Sequence, residues 1–248
     1  MTTFLPKIKF GLRDIDAILN GGIPLSGITE FFGESGSGKT QIAFHLALVT
    51  LLPLEMGGVG LKSVYISTGP CITTNRLLQM ARRVSQNLSL NVPGEALLDH
   101  ILVKRVMSYE YFHQTILKDL VRLVKVKDIG SIIIDSVGAI YRTETDYQKR
   151  HRDMKEVIDT LKKLSYHHNI AIVTINEVSA AANASNGTAK GSVLPALGPF
   201  WSTSMTSQIQ VSKSGFEIVD GKCRTLRKMK VIKGPNFKVG EEAKFYVN

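Results

Sequence analysis

The octet Gly33-Glu34-Ser35-Gly36-Ser37-Gly38-Lys39-Thr40 lies between two runs of different character. Before it, Gly27-Ile28-Thr29-Glu30-Phe31-Phe32 reads as a buried strand; after it, Gln41-Ile42-Ala43-Phe44-His45-Leu46-Ala47-Leu48 reads as a helix. Strand, glycine loop, helix is a demanding order. Glycines let successive backbone N–H groups turn inward onto phosphate oxygens, and the helix that follows points the positive end of its dipole at the same anion. This is the Walker A pattern, in which Lys39 reaches the outer phosphates and Thr40 offers its hydroxyl to Mg²⁺. The bland alternative is a glycine-rich turn that matches by chance, and the flanking strand and helix argue against it. Gly33, Glu34, Ser35, Gly36, Ser37, Gly38, Lys39, Thr40 and Gln41 are therefore the candidate nucleotide-binding segment.

Far downstream, Ser131-Ile132-Ile133-Ile134-Asp135 has the shape of a Walker B strand, a buried run ending in a carboxylate. In open parallel sheets ligands bind at the carboxyl ends of the strands, so Asp135 belongs beside the phosphate loop. From there it would hold the shell of the metal, directly or through water. Thr40 and Asp135 are the expected metal residues.

The chain has 248 residues, 44% hydrophobic and 21% charged, which suits one globular domain with a full core. No stretch approaches the ~20 apolar residues of a membrane span, and Met1 to Lys7 lacks the apolar core of a signal peptide. Cys71 and Cys223 are isolated, without metal-ligand spacing; they are expected to pack in a reducing compartment. The six histidines form no ligand motif, and His167-His168 reads as a helix end. A net charge of +10 attracts phosphate polymers and acidic partners alike, so charge does not by itself decide for nucleic acid.

Alternating strands and helices follow one another along the chain. Short helices are expected at Ile15–Leu19, closed by Asn20-Gly21-Gly22, and at Glu95–His100. Longer ones are expected at Asn75–Asn87, Glu110–Val126 and Asp153–His167, with Met154, Val157, Ile158, Leu161 and Leu164 on one buried face. Lys62–Ser67 and Ile170–Ile175 read as buried strands, Ile101–Val106 reads as a strand, and the tail from Thr206 to Val247 alternates like antiparallel strands. These features predict an α/β fold: a mostly parallel twisted sheet flanked by helices, with antiparallel C-terminal strands. Neither an internal repeat nor a second domain is visible.

The chain resembles the RecA-type strand-exchange ATPases, the eukaryotic recombinase and its paralogues in particular, nearly from end to end. The likeness rests on Gly21-Gly22-Ile23-Pro24-Leu25-Ser26-Gly27-Ile28-Thr29-Glu30, Gly38-Lys39-Thr40-Gln41 and Tyr65-Ile66-Ser67-Thr68. It continues in Ile134-Asp135-Ser136-Val137 with Tyr141-Arg142, in Thr174-Ile175-Asn176-Glu177-Val178, and in Lys233-Gly234-Pro235. The approach to the loop is most similar to the XRCC-three type of paralogue, a recombination mediator. The resemblance implies a RecA-like ATPase core that uses ATP and Mg²⁺, with Arg76 stacked on adenine. It also implies a nuclear role in homologous recombination and double-strand break repair.

Three departures qualify that expectation. The family's water-activating Glu falls at Gly69, and a lost general base costs of order 10²–10⁴ in rate. The family's Asn-Gln sensor reads Asn176-Glu177, and an ionised Glu can accept from but not donate to a γ-phosphate. No catalytic residue is therefore assigned. Finally, the sequence starts almost at the ATPase core and no Phe-x-x-Ala occurs before Gly11, a layout for which the archaeal short recombinase paralogue is the alternative expectation.

By the same resemblance DNA contacts lie in two loops. In Tyr141 to Arg152, the residues Arg142, Lys149, Arg150 and Arg152 are candidates for phosphates, and Tyr147 for base stacking. The alternative is a solvated helix start, which Glu144 and Asp146 favour. Ala180 to Pro195 offers Lys190 as its one cation. Lys233 and Pro235 occupy the nucleotide-capping segment, where Lys233 is expected to reach a neighbouring subunit's ATP.

The function expected is that of an ATP-binding mediator that binds single-stranded DNA and stabilises or caps a recombinase filament, in a heteromeric complex with other paralogues. The alternative is a self-assembling DNA-dependent ATPase with strand-exchange activity. A hexameric helicase or clock-type ATPase would need an arginine finger and a catalytic Glu, and neither can be placed.

Overall fold

A computed structural model describes residues 6–69, 74–87, 93–178, 194–219 and 221–246. Among these, β1 (Lys7–Ile8), α1 (Arg13–Ile18), β2 (Ile23–Pro24) and β3 (Ile28–Phe32) lead into α2 (Lys39–Thr50). Asn20, Gly21 and Gly22 all take positive φ after α1, as the Asn-Gly-Gly signal requires. A Cβ on Gly22 would stand 2.3 Å from the Ile8 carbonyl oxygen, so the turn also needs glycine for space.

The middle of the chain gives β4 (Lys62–Ser67), α3 (Thr74–Asn87), α4 (Gly94–Leu98), β5 (Ile101–Arg105) and α5 (Tyr109–Gln114). The expected single helix from Glu110 is interrupted: Thr115–Asp119 is a π-helical turn between α5 and α6 (Leu120–Leu123). Its apolar periodicity survives the interruption, because Phe112, Ile116 and Leu120 are all buried. Next come β6 (Ile129–Asp135), α7 (Val137–Tyr141), α8 (Tyr147–His168), β7 (Ala171–Asn176), α9 (Gly198–Ser204), β8 (Ser207–Val219), β9 (Lys222–Lys233) and β10 (Glu242–Tyr246).

Eight of these strands form one sheet in the order β10-β9-β8-β3-β7-β6-β4-β5. Strands β8 through β5 run parallel, and β9 and β10 join antiparallel at one edge. This is the mixed α/β architecture that the sequence predicts. Helix α2 packs on one face over Phe31, Tyr65 and Val173; α8, with Phe112 and Trp201, covers the other face over Ile132, Ile134 and Ile172. Because side chains alternate along each strand, the isoleucine run of β6 supplies both cores. The register aligns Phe32 with Asn176, Ile175 with Asp135, and Asp135 with Ser67. Four strand ends thus converge beside the glycine loop.

Two expectations change. Cys223 is exposed on β9 rather than packed, since its position falls at the solvated end of the β8–β9 hairpin; Cys71 lies outside the described residues. Helix α8 begins at Tyr147, not Asp153, because the Asp146 carboxylate accepts hydrogen bonds from the backbone N–H of Gln148 (2.9 Å) and Lys149 (3.1 Å). That is an N-cap worth about 1 kcal/mol, and the mixed-charge stretch hid it.

Candidate functional site

The loop Gly33–Gly38 is pinned at both ends. Gly33 passes so close to β8 that a Cβ there would lie 2.0 Å from the Val211 carbonyl oxygen. Gly38 enters α2 with φ of 101°, which only glycine adopts without strain. Lys39, on the first turn of α2, is buried and folds back into the loop. Its Nζ donates to the carbonyls of Gly33 (2.8 Å) and Glu34 (2.7 Å) and lies 3.5 Å from Ser37 Oγ. Burial pushes its pKa below the ordinary value, against the pull of the Glu177, Asp135 and Glu34 carboxylates. An ammonium held among carbonyls and carboxylates is a cation that an incoming phosphate can claim. Thr40 stands next to it, half-buried, and Glu34 and Ser35 are exposed at the rim.

Asp135 ends β6 beside this lysine, as the strand pattern predicts. The Tyr65 hydroxyl donates to it at 2.7 Å, which aims the carboxylate across the strand ends. A carboxylate has about four acceptor sites and Tyr65 takes one, so hard-cation or water ligation is compatible with the geometry. Thr68 braces the same corner: its hydroxyl donates to the Ser136 carbonyl and accepts from the Ser136 N–H. Gly69 follows this corner, and no atom of the described residues lies within 4 Å of the position where its Cβ would be.

Asn176 does not stand free as a sensor. Its Nδ2 donates to the buried Glu30 carboxylate and to the Ala196 carbonyl, both at 2.8 Å. Glu30 also accepts from Trp201 Nε1 and Gln208 Nε2, each at 2.7 Å. Burial pushes Glu30 up from the usual carboxylate range while these three donors pull it down. Glu177 next door forms an ion pair with Arg142.

The candidate DNA residues are gathered on the turn after α7 and the first turns of α8, but most already have partners. Arg142 is paired with Glu177 and Arg152 with Asp153; Lys149 binds Glu144 at 2.5 Å and lies over the Tyr109 ring. Arg150 covers the exposed Tyr147 ring at 5.6 Å. Arg76 sits in the first turn of α3 and donates to Gln79 at 2.8 Å. Lys190 lies outside the described residues. Lys233 is turned inward, donating to the carbonyls of Thr203 (3.0 Å) and Met205 (2.6 Å), and Pro235 is exposed beyond it.

Sequence reasoning missed the partners contributed by β8 and β9. The Arg227 guanidinium donates to the Gly36 carbonyl at 2.7 Å, and Lys213 approaches the same glycine. Only strand register could have found them. Behind the loop, Gln41 and His45 of α2 line a cavity of about 310 Å³ with Phe10, Met80, Met229 and Phe245.

A mostly parallel sheet with this loop and this acidic strand end defines a RecA-like core of the phosphate-loop class. The Rad51 family model matches residues 3–248, and the chain belongs to that family. DNA repair protein rhp57 of Schizosaccharomyces pombe is 34% identical over 186 residues, which are 66% of this chain and 51% of that protein. The DNA repair and recombination protein RadA of Aeropyrum pernix is 34% identical over 181 residues, 71% of this chain and 54% of its own length. RadA of Ignicoccus hospitalis is 31% identical over 185 residues, with 71% and 54% covered. The chain spans about half the length of the curated relatives it matches.

Proposed function

We propose that this chain is an ATP-binding core that serves recombination and DNA repair as a mediator, binding nucleotide far better than it cleaves it. The observation that carries this reading is the buried Lys39 ammonium inside the Gly33–Thr40 loop, flanked by Asp135. Lys39 would take the outer phosphates, and the loop N–H groups the inner ones. Thr40 and Asp135 would complete the shell of Mg²⁺, an ion that keeps most of its ligands as water and phosphate oxygen and needs few from protein. Bound there, the ion would neutralise phosphate charge. Arg76 and the cavity beside Gln41 are the candidates for the base.

Poor turnover is expected from the two departures at Gly69 and Glu177. Gly69 supplies no carboxylate to activate water, and Glu177 is held by Arg142. In the mediator reading the core contacts single-stranded DNA through Arg142, Tyr147, Lys149, Arg150 and Arg152, and it stabilises or caps a recombinase filament in the nucleus with other paralogues. The names of the relatives, which record DNA repair and recombination, support the process.

The test is Mg-ATP binding and hydrolysis by the purified chain, with and without single-stranded DNA. Tight binding with turnover well under ~1 s⁻¹ is expected. Lys39→Ala should lower ATP affinity by at least tenfold, the scale of one lost charge-assisted contact of about 1.5–3 kcal/mol. Unchanged affinity in that variant would sink the assignment. Brisk DNA-stimulated hydrolysis, with long regular filaments in electron micrographs, would favour the self-assembling strand-exchange ATPase instead.

A further inference from the structure

The tip of the phosphate loop carries two cations that the reading above does not use. Arg227 on β9 and Lys213 on β8 are directly opposite one another in the antiparallel ladder. Like charges directly opposite repel and weaken the strand pair. Neither makes an ion pair among the described residues. Arg227 is half-buried, and one of its five donors is satisfied there: Nη1 bonds the Gly36 carbonyl, while Nε is buried without a hydrogen-bond partner. Burial also pushes its pKa down. The Lys213 ammonium lies 3.3 Å from where a Cβ of Gly36 would be, so both cations close over one glycine of the loop.

A repelling pair with spare donors, set at the rim of an anion loop, is an arrangement that an anion would relieve. We propose that Arg227, assisted by Lys213, reads the terminal phosphate of the bound nucleotide and so gives this site its preference for a triphosphate over a diphosphate. The proposal rests on the reading that Gly33–Gln41 holds a nucleotide. It adds a contact made by the same chain to the loop's own lysine: the guanidinium leaves or shares the Gly36 carbonyl and gives two donors to phosphate oxygens, the geometry for which its planar fork is suited. The β8–β9 hairpin thereby becomes part of the nucleotide site and not only an edge of the sheet.

The experiment measures Mg-ATP and Mg-ADP affinities by calorimetry on the full chain, unaltered and as Arg227→Met, Arg227→Lys and Lys213→Met, with a thermal melt of each. Phosphate reading predicts that Arg227→Met loses roughly tenfold or more for Mg-ATP and under about threefold for Mg-ADP. Lys213→Met should show a smaller loss of the same sign, and Arg227→Lys should keep most of the preference. If Arg227 only braces the loop through Gly36, both nucleotides weaken equally, and the proposal is overturned; so too if neither changes. Should Arg227→Met fail to fold, Lys213→Met decides by the same ratio. Failure of the unaltered chain to bind either nucleotide would overturn the nucleotide reading itself, whereas binding of both without discrimination would overturn only the role of Arg227.

Discussion

Arg142 and Glu177 meet as an ion pair that joins the turn after α7 to the end of β7. Their side chains are 52% and 41% exposed, so water screens the pair and its contribution to stability stays below about 1 kcal/mol. Its interest lies in what each partner is kept from doing. Glu177 acts electrostatically on Lys39, and Arg142 is the first of the candidate DNA cations. Glu177→Gln removes a negative charge near the phosphate loop and releases Arg142. ATP affinity should rise roughly three- to tenfold, the size of one screened charge at close range. The melting temperature should be almost unchanged; calorimetry with a thermal melt checks both.

Turnover should respond to a pair of changes. Among the described residues a Cβ at Gly69 meets nothing within 4 Å. Gly69→Glu combined with Glu177→Gln restores a general base and a donor, and hydrolysis should increase by about 10²-fold if both positions face the attacking water. A steady-state phosphate-release assay reads this directly. Unchanged turnover in a folded double variant would show that the Gly69 position does not face the water.

DNA binding, where it occurs, should be limited by internal pairing. Glu144 holds Lys149, so Glu144→Gln should strengthen single-strand binding, whereas reversing Lys149 and Arg150 to Glu should weaken it for every sequence alike. Fluorescence anisotropy across a salt series separates these effects. The reversal should also flatten the slope of log affinity against log salt by roughly two.

His45 makes stability sensitive to acid. It is half-buried, its Nε2 is 2.8 Å from the Phe10 carbonyl oxygen, and desolvation lowers its pKa below 6.5. The ring is therefore neutral, with Nε2–H as donor. In the unfolded chain the same imidazole takes a proton near pH 6.5, so the unfolded state binds more protons as pH falls through that value. Stability should be fully present above about pH 7 and decline from about pH 6.5 downward. His45→Gln should flatten that decline in melts recorded between pH 7.5 and 5.5.

Glu30 is the structural counterpart. Glu30→Ala strands the donors of Asn176, Trp201 and Gln208 in the interior and leaves a void. A loss of about 3–5 kcal/mol is expected, as for other broken buried charge networks, measured by denaturant unfolding.

Much of this is legible in the sequence. The glycine octet placed the loop, the isoleucine run placed β6 and Asp135, and the spacing of Met154 to Leu164 found the buried face of α8. Short-range patterns carry such information because a turn, a strand and a helix face are each decided by neighbours in sequence. What stayed hidden came from contacts between distant segments. Tyr65 meets Asp135 only through strand register, Arg227 reaches Gly36 across a sheet, and Glu30 gathers donors from three elements. The π turn in the α5–α6 stretch left its apolar spacing intact and so gave no sign. The ion-pair partners of Arg142, Lys149 and Arg152, candidates for phosphates along the chain, were hidden as well.

Lys233 carries a consequence for assembly. Its ammonium closes the last turn of α9 by taking the carbonyls of Thr203 and Met205, the role that a cation at a helix C-terminus commonly fills. To touch a neighbouring subunit it must let that helix end go. Contact across such a face would be a competition rather than an addition, and a partner that won it would leave a trace inside this chain. Faster amide hydrogen exchange after α9, appearing only when the partner is bound, would mark Lys233 as having changed hands. Substituting Lys233 would by itself loosen the ground beneath Trp201, so a binding defect in that variant alone says nothing about reach.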